Sequence, residues 1–207
     1  MIDVPPDAIR YLRQQRTVAG NPATDWMKAA FDNDVADFAN AAKRFLPPGK
    51  SEMRFVDIGC GVGFGLLVLA RIYGTEHWFV GIDRDSESAQ IEYGFSESPS
   101  AYNSLSLTRQ VLENAGIAAD RIACVDIDVE PFPDGEADII TSTLAWGFHF
   151  PVDTYLRQVE ASLKPDGAII IDLRRGTGQD TILGERFEVV HSWPGQKSDR
   201  VILKRRK

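Results

Sequence analysis

Between Arg54 and Leu173, short apolar runs alternate with segments whose apolar residues recur every three or four positions. Phe55–Ile58, Trp78–Ile82, Ile122–Val125, Ala137–Ser142 and Ala168–Leu173 each read as a strand. Phe64–Tyr73, closed by Gly74, reads as a buried helix. Ser104 is placed to cap a second helix, in which Leu105, Thr108, Leu112 and Ala115 share a face and Gly116 marks the end. Val152–Leu163 reads as a third, with Tyr155, Leu156, Val159 and Leu163 turned inward, before Pro165-Asp166-Gly167 turns into the last of these strands. Strands alternating with crossover helices demand right-handed βαβ units and a parallel sheet.

The flanks follow other periods. Residues 22–46 predict one long helix with a stripe of Met27, Phe31, Val35, Phe38, Ala42 and Phe45, ended by Pro47-Pro48-Gly49. Asp32, Asp34 and Asp37 fall on its other faces, and a shorter helix is expected near residues 7–16. Phe187–His191 and Val201–Lys204, joined at Pro194-Gly195-Gln196, read as a terminal antiparallel hairpin at the sheet edge. The expected organisation is a single domain over 1–207, with a helical cap (1–50), a core (51–175) and the hairpin (176–207). Asp85 to Asn103 fits no element and is too long for a simple connection, so it reads as an insertion over the ligand site.

Composition narrows the function classes. The chain has 207 residues, 43% of them apolar and 26% charged, which suits one buried core. A net charge of −7 disfavours nucleic acid or an anionic membrane as partner. The longest apolar run, Ile58–Ala70, is shorter than the about 20 residues that cross a bilayer. Asp3, Pro5, Pro6 and Asp7 do not make an export signal. Cys60 and Cys124 are too few for a disulfide framework, so the reducing cytoplasm is the expected location.

The first strand runs into Asp57-Ile58-Gly59-Cys60-Gly61-Val62-Gly63-Phe64-Gly65. A dinucleotide loop needs G-x-G-x-x-G, and the three possible registers end on Phe64, Leu66 or Val68. No Gly-Lys-Ser/Thr follows, so a Walker A loop is absent as well. What fits is an acid followed by Gly-x-Gly-x-Gly. Here the chain resembles the class I S-adenosylmethionine-dependent methyltransferases, over roughly residues 50–175.

That resemblance implies a doubly wound α/β fold: a mostly parallel seven-stranded sheet with helices on both faces and a C-terminal antiparallel hairpin. It implies S-adenosylmethionine as cofactor, with the loop of Gly59, Cys60, Gly61 and Gly63 beneath its amino acid end and Asp57 serving the ammonium, often through water. Asp83 ends the second strand 20 positions after Gly63, where the family places its ribose-binding acid; Asp85 competes for that role. Counting back from Pro131 puts the adenine-binding acid on Asp126, with Asp128 as the alternative, and offers the Ile127 amide to the ring. Glu130 departs from the apolar residue usual there. Thr143, past the fourth strand, completes the implied cofactor set.

Methyl transfer is an in-line displacement, in which the protein aligns the nucleophile and, for a hydroxyl, can supply a base. The acceptor segment Thr141–Asp153 lacks the Asn/Asp-Pro-Pro-Tyr/Phe sequence of enzymes that methylate planar nitrogens. His149 is the candidate base, with a loop-anchoring hydrogen bond as its other reading. Trp146, Phe148 and Phe150 are candidates to line an acceptor pocket, or to form an apolar lid, and Asp153 to cap the next helix. Arg174, beside Arg175, is a candidate for holding an anionic acceptor. Leu173 follows Asp172 where metal-dependent catechol-type enzymes carry Asn, so no metal is expected. Tyr102-Asn103-Ser104-Leu105 and Trp146-Gly147-Phe148-His149 are similar, over these few residues, to bacterial sugar O-methyltransferases. The expectation is a methyltransferase for a small, polar, hydroxylated acceptor. RNA or protein methylation, or a catalytically silent binding module, are the alternatives.

Overall fold

All five apolar runs form strands, and they lie side by side. The computed structural model describes residues 5–15, 24–90 and 94–206. Its strands are β1 (Arg54–Ile58), β2 (Trp78–Asp83), β3 (Ile122–Asp126), β4 (Ala137–Ser142), β5 (Leu163–Arg174), β6 (Phe187–Pro194) and β7 (Ser198–Arg205). They form one sheet in the order β3-β2-β1-β4-β5-β7-β6. The first five strands in that order pair in parallel, while β7 pairs antiparallel with both β5 and β6.

Both faces of the parallel part are covered, which is why its strands are apolar runs rather than alternating ones. On one face Phe55, Ile139 and Ile170 pack under α2 (Thr24–Ala42) and α3 (Phe64–Tyr73), with α1 (Pro6–Gln15) and α4 (Leu105–Asn114) beyond. On the other, Val56, Ile140 and Ile171 pack under α5 (Leu156–Ser162) and α6 (Gln179–Gly184). Each such fully buried side chain contributes about 1.5–3 kcal/mol. The chain leaves β1 toward β2 on one side and meets β4 on the other. The carboxyl ends of β1, β2 and β4 therefore flank a crevice, where open α/β sheets bind ligands.

Several boundaries differ from expectation, each for a local reason. The long helix closes at Ala42, and both Arg44 and Phe45 donate to the Ala41 carbonyl in a final turn. Phe38 is buried and Phe31, Val35, Ala42 and Phe45 pack beside it; the side chain of Met27 and residues 16, 22 and 23 lie outside the described residues. The predicted helix over 152–163 splits into a single 3-10 turn (Val152–Thr154) and α5, and Leu163 already belongs to β5. Asp153 lies exposed within that turn and caps nothing; Gln179 Oε1 accepts the Val152 amide instead, at 2.7 Å.

Ser104 does not cap α4 through its side chain either. Its hydroxyl pairs with that of Ser106, and Asp85 Oδ1 accepts the Leu105 amide at 2.9 Å. The expected turn at Pro165–Gly167 is a bulge inside β5: Ala137 pairs with Leu163 but Ile139 with Ala168. Pro165 has no N–H to give a ladder. Opposite the bulge, buried Asp138 accepts from Lys164, Lys50 and the Arg54 amide. α6 was not anticipated; its six residues are too few to show a helical period.

Candidate functional site

A cavity opens at the carboxyl ends of β1, β2 and β4, walled by the glycine loop, Asp83, Ile127, Thr143, His149 and the 97–102 segment. The loop is built by backbone donors. The Gly59 and Cys60 amides both donate to the Ile82 carbonyl, at 2.8 and 3.1 Å, and the Gly61 amide to Asp83 Oδ2 at 2.7 Å. The Gly61 carbonyl receives Thr108 Oγ1 at 2.7 Å and Asn103 Nδ2 at 3.0 Å. Gly59 has φ of 69°, and a Cβ there would stand 2.2 Å from the Ala145 Cβ. Only glycine lets the loop cross the segment after β4 so closely.

Asp83 lines the cavity. One of its oxygens takes the Gly61 amide and the other the Arg84 amide at 2.8 Å. Burial pushes its carboxyl up to about 6, against those two hydrogen bonds, and the nearby Asp126 adds to the rise. Asp57 occupies a different position from the one expected. It is 1% exposed and lies behind the loop, where Oδ1 accepts Thr141 Oγ1 at 2.8 Å. Its other oxygen is turned toward Gly65 in the first turn of α3, where the helix dipole favours a carboxylate. It is not among the residues that line the cavity.

The β3 end also departs from expectation. Asp126 lies outside the cavity lining, where Oδ1 accepts the Asp128 amide at 3.1 Å and its carbonyl accepts from Val129 and Glu130. Ile127 does line the cavity, but its amide donates to the Asp83 carbonyl at 3.0 Å, so that N–H is engaged within the protein. Asp128 pairs with Arg84 and Asp85 serves α4, which leaves Asp83 as the carboxylate of this group at the wall.

Past β4, buried Ser142 donates to the Ile58 carbonyl at 2.8 Å and accepts the Trp146 amide at 2.9 Å, tying this segment to β1. Thr143 and Leu144 line the cavity, and Leu144 has φ of 57°. His149 is half-buried at the wall. Its Nδ1 lies 2.8 Å from the Gly94 carbonyl. A carbonyl only accepts, so Nδ1 carries the hydrogen and the neutral ring keeps its lone pair on Nε2. Burial lowers the His149 pKa below its ordinary value, the Gly94 bond opposes this, and the Arg174 charge adds to the lowering. The His149 carbonyl also accepts the Ser96 amide, so its backbone and its ring both anchor the 94–96 segment.

Of the expected acceptor residues, Trp146, Phe148 and Arg174 lie elsewhere. Trp146 is 0% exposed, with its indole N–H donating to the Val152 carbonyl at 2.9 Å, and Phe148 is 8% exposed. Both are packed into the protein because β5 runs beneath this segment, and neither lines the cavity. Arg174 stacks over the Phe148 ring at 5.2 Å, away from the cavity wall. Tyr102, Arg84 and Tyr155 line the cavity without having been singled out for it, and Phe150, one of the three candidate pocket aromatics, lines it too. Nor was the grip of Asn103 and Thr108 on the loop. They lie 42 and 47 residues from Gly61, and Thr108 signalled only an inward helix position.

Residues 31–198 match the family described as a methyltransferase domain. A curated relative, an uncharacterised methyltransferase of Emericella nidulans, is 22% identical over 129 residues, 62% of this chain. The chain spans 44% of that relative's length. Among solved structures, an S-adenosylmethionine-dependent O-methyltransferase from Thermotoga maritima superposes with a TM-score of 0.57 at 14% identity, covering 98% of this chain and 72% of that one. A ribosomal protein L11 methylase from Lactobacillus delbrueckii subsp. bulgaricus superposes with a TM-score of 0.58 at 15% identity, covering 84% and 77%. At these identities the structures share the fold.

Proposed function

Because the chain belongs to the methyltransferase domain family, we propose that it transfers a methyl group from S-adenosylmethionine to a hydroxyl of a small polar acceptor. The observation that carries the cofactor assignment is the Asp83 carboxylate at the cavity wall, hydrogen-bonded to the amide of the glycine loop. The cavity fits the group: a loop where only glycine permits the crossing at Ala145, next to a carboxylate at the end of β2.

Asp83 would accept hydrogen bonds from the ribose hydroxyls, keeping lone pairs for them beyond its two backbone partners. Gly59 to Gly61 would let the backbone approach the amino acid end. The side chains of Ile127 and Tyr155 offer apolar surface on the β3 side, suited to a purine ring. When bound, S-adenosylmethionine supplies a methyl carbon made electrophilic by its sulfonium. His149 Nε2 would take the proton that the acceptor hydroxyl loses as its oxygen acquires the methyl group. A lowered His149 pKa keeps that nitrogen unprotonated at neutral pH.

Calorimetric titration with S-adenosylhomocysteine tests the cofactor assignment. Micromolar binding that Asp83→Ala abolishes supports it, and no binding by the unaltered protein overturns it. Methyl transfer to a panel of small hydroxylated compounds tests the reaction. With an active acceptor, His149→Gln is expected to lower kcat by about 10²–10⁴ without changing S-adenosylhomocysteine affinity. Equal rates in the variant would remove His149 as base. Binding without turnover on any acceptor would favour a silent cofactor-binding module, and salt-sensitive turnover on RNA would move the substrate class.

A further inference from the structure

Leu144 separates two cavities. One is the cofactor cavity; the other lies on its β5 side, between α2, β5 and the β6–β7 hairpin, and is lined by Asp37, Asp172, Trp193, Ser198 and Arg200. Building on the cofactor assignment above, we propose that this second cavity holds the acceptor, and that the acceptor is a small amino alcohol whose protonated amine docks there. The sheet order supports the placement. Asp83 marks the ribose end of the first cavity at β2, so the opposite end lies at β4, where Leu144 stands. The next strands in the sheet, β5 and β7, carry Asp172, Ser198 and Arg200. A molecule seated there would extend its hydroxyl past Leu144 into the first cavity, where His149 and the methyl group would meet it.

One interaction joins the two cavities. Asp172 Oδ2 accepts the Leu144 amide at 3.1 Å and thereby fixes the dividing residue. The same carboxylate takes Arg200 Nε at 2.7 Å and Nη2 at 3.0 Å, while Arg200 Nη1 reaches Asp34 at 2.8 Å. The guanidinium is thus engaged by two carboxylates and is not available to recruit an anion. Asp37, on the same helix as Asp34, adds a carboxylate that pairs with no cation among the described residues. Among the described residues that line it, two carboxylates stand against one guanidinium, which leaves the site negative. Trp193 supplies an aromatic wall, which attracts a cation to its face. An anionic acceptor would be repelled and a neutral polyol would gain no charge attraction. Ser198 remains to hydrogen-bond a hydroxyl.

The test titrates the protein saturated with S-adenosylhomocysteine against three probes of matched size: 2-amino-1,3-propanediol, glycerol and glycerate. The aminodiol is expected to bind at least about fivefold more tightly than either of the others, and to lose about fivefold in Asp37→Asn and in Trp193→Leu. Asp37 is exposed, so its variant folds and is expected to keep its S-adenosylhomocysteine affinity. Equal or tighter binding of glycerol or glycerate overturns the proposal. So does undetectable aminodiol binding, or unchanged aminodiol affinity in Asp37→Asn. Failure of S-adenosylhomocysteine itself to bind overturns the cofactor assignment, and the same three-probe comparison on the unloaded protein then judges the second cavity by itself.

Discussion

The Gly61 amide donates to Asp83 Oδ2 across 2.7 Å, and this one bond joins the glycine loop to the end of β2. Two features that lie 22 residues apart in the chain therefore act as a unit. Losing Asp83 leaves a loop amide without its acceptor and, on the proposed assignment, also removes the ligand's partner. Asp83→Ala is expected to weaken S-adenosylhomocysteine binding by more than tenfold and, separately, to lower stability by about 1–3 kcal/mol through the orphaned amide. Calorimetry on the variant checks this.

The same carboxylate makes binding pH-dependent. Its pKa is raised to about 6, so the group is charged above that value and neutral below it. On the proposed assignment, the charged form would accept both ribose hydroxyl hydrogens. Affinity is expected to be flat above about pH 7 and to fall as pH drops through about 6. Stability of the unliganded protein runs the other way for this group. A raised folded-state pKa means the folded state binds the extra proton, so its contribution falls as pH rises from 3.8 to about 6. Titrations and thermal melts across that range check both signs, and Asp83→Asn is expected to lose both dependences.

Gly59→Ala sets a methyl group 2.2 Å from the Ala145 Cβ in a backbone with φ of 69°. The two penalties are separable. The left-handed conformation costs a side chain about 1–2 kcal/mol, and the collision adds to it. Gly59→Ala combined with Ala145→Gly is expected to recover the collision part and retain the conformational part. Denaturant unfolding of the two single variants and the double variant measures the coupling.

Asp138 is 0% exposed and sits at the amino-terminal side of the sheet, away from the cavity. Burial would raise its pKa, but Lys164, the Arg54 amide and Lys50 together hold it below the ordinary value. Its stabilising contribution is therefore present above the unfolded value and is lost as pH falls through the lower folded one. Asp138→Asn is expected to destabilise by about 1–3 kcal/mol, through the Lys164 ammonium left without its carboxylate and the weaker acceptor offered to the Arg54 amide, while Lys50 keeps Asp166. Its S-adenosylhomocysteine affinity, measured below the melting temperature, is expected to match that of the unaltered protein.

α1 reaches the cofactor cavity through a short relay. Tyr11 and Arg10 both donate to Glu87, the Tyr11 ring lies 4.8 Å from that of Tyr102, and Tyr102 lines the cavity. Glu87→Ala takes the acceptor from the buried Tyr11 hydroxyl. It is expected to lower the melting temperature and to weaken S-adenosylhomocysteine binding about fivefold. Unchanged affinity would show that α1 only covers the core.

The strand and helix pattern was legible in the chain because burial of a parallel sheet is a local demand. Phe55–Ile58 and Ala137–Ser142 are buried on both faces whichever strands flank them, so apolar residues dominate there and the polar exceptions, Asp57, Asp138, Thr141 and Ser142, are hydrogen-bonded. The glycine loop and Asp83 were legible for a similar reason: a tight crossing and a strand-end acid need particular residues at fixed spacing. Where side chains point beyond the last ladder pair is settled by contacts between distant segments. β5 beneath the β4–α5 connection packs Trp146 and Phe148 inside, although their sequence suits a pocket wall equally well. The pairing of β2 with β3 commits the Ile127 amide to the Asp83 carbonyl. Asn103 and Thr108 found Gly61, and Asp172 found Leu144, only when the folded sheet brought them together. The amino acid sequence determined the elements and the carboxylate that stands at the cavity wall. Tertiary structure decided which polar groups remained free to meet a ligand, because each backbone N–H or carboxylate oxygen engaged within the protein is less available to bind one.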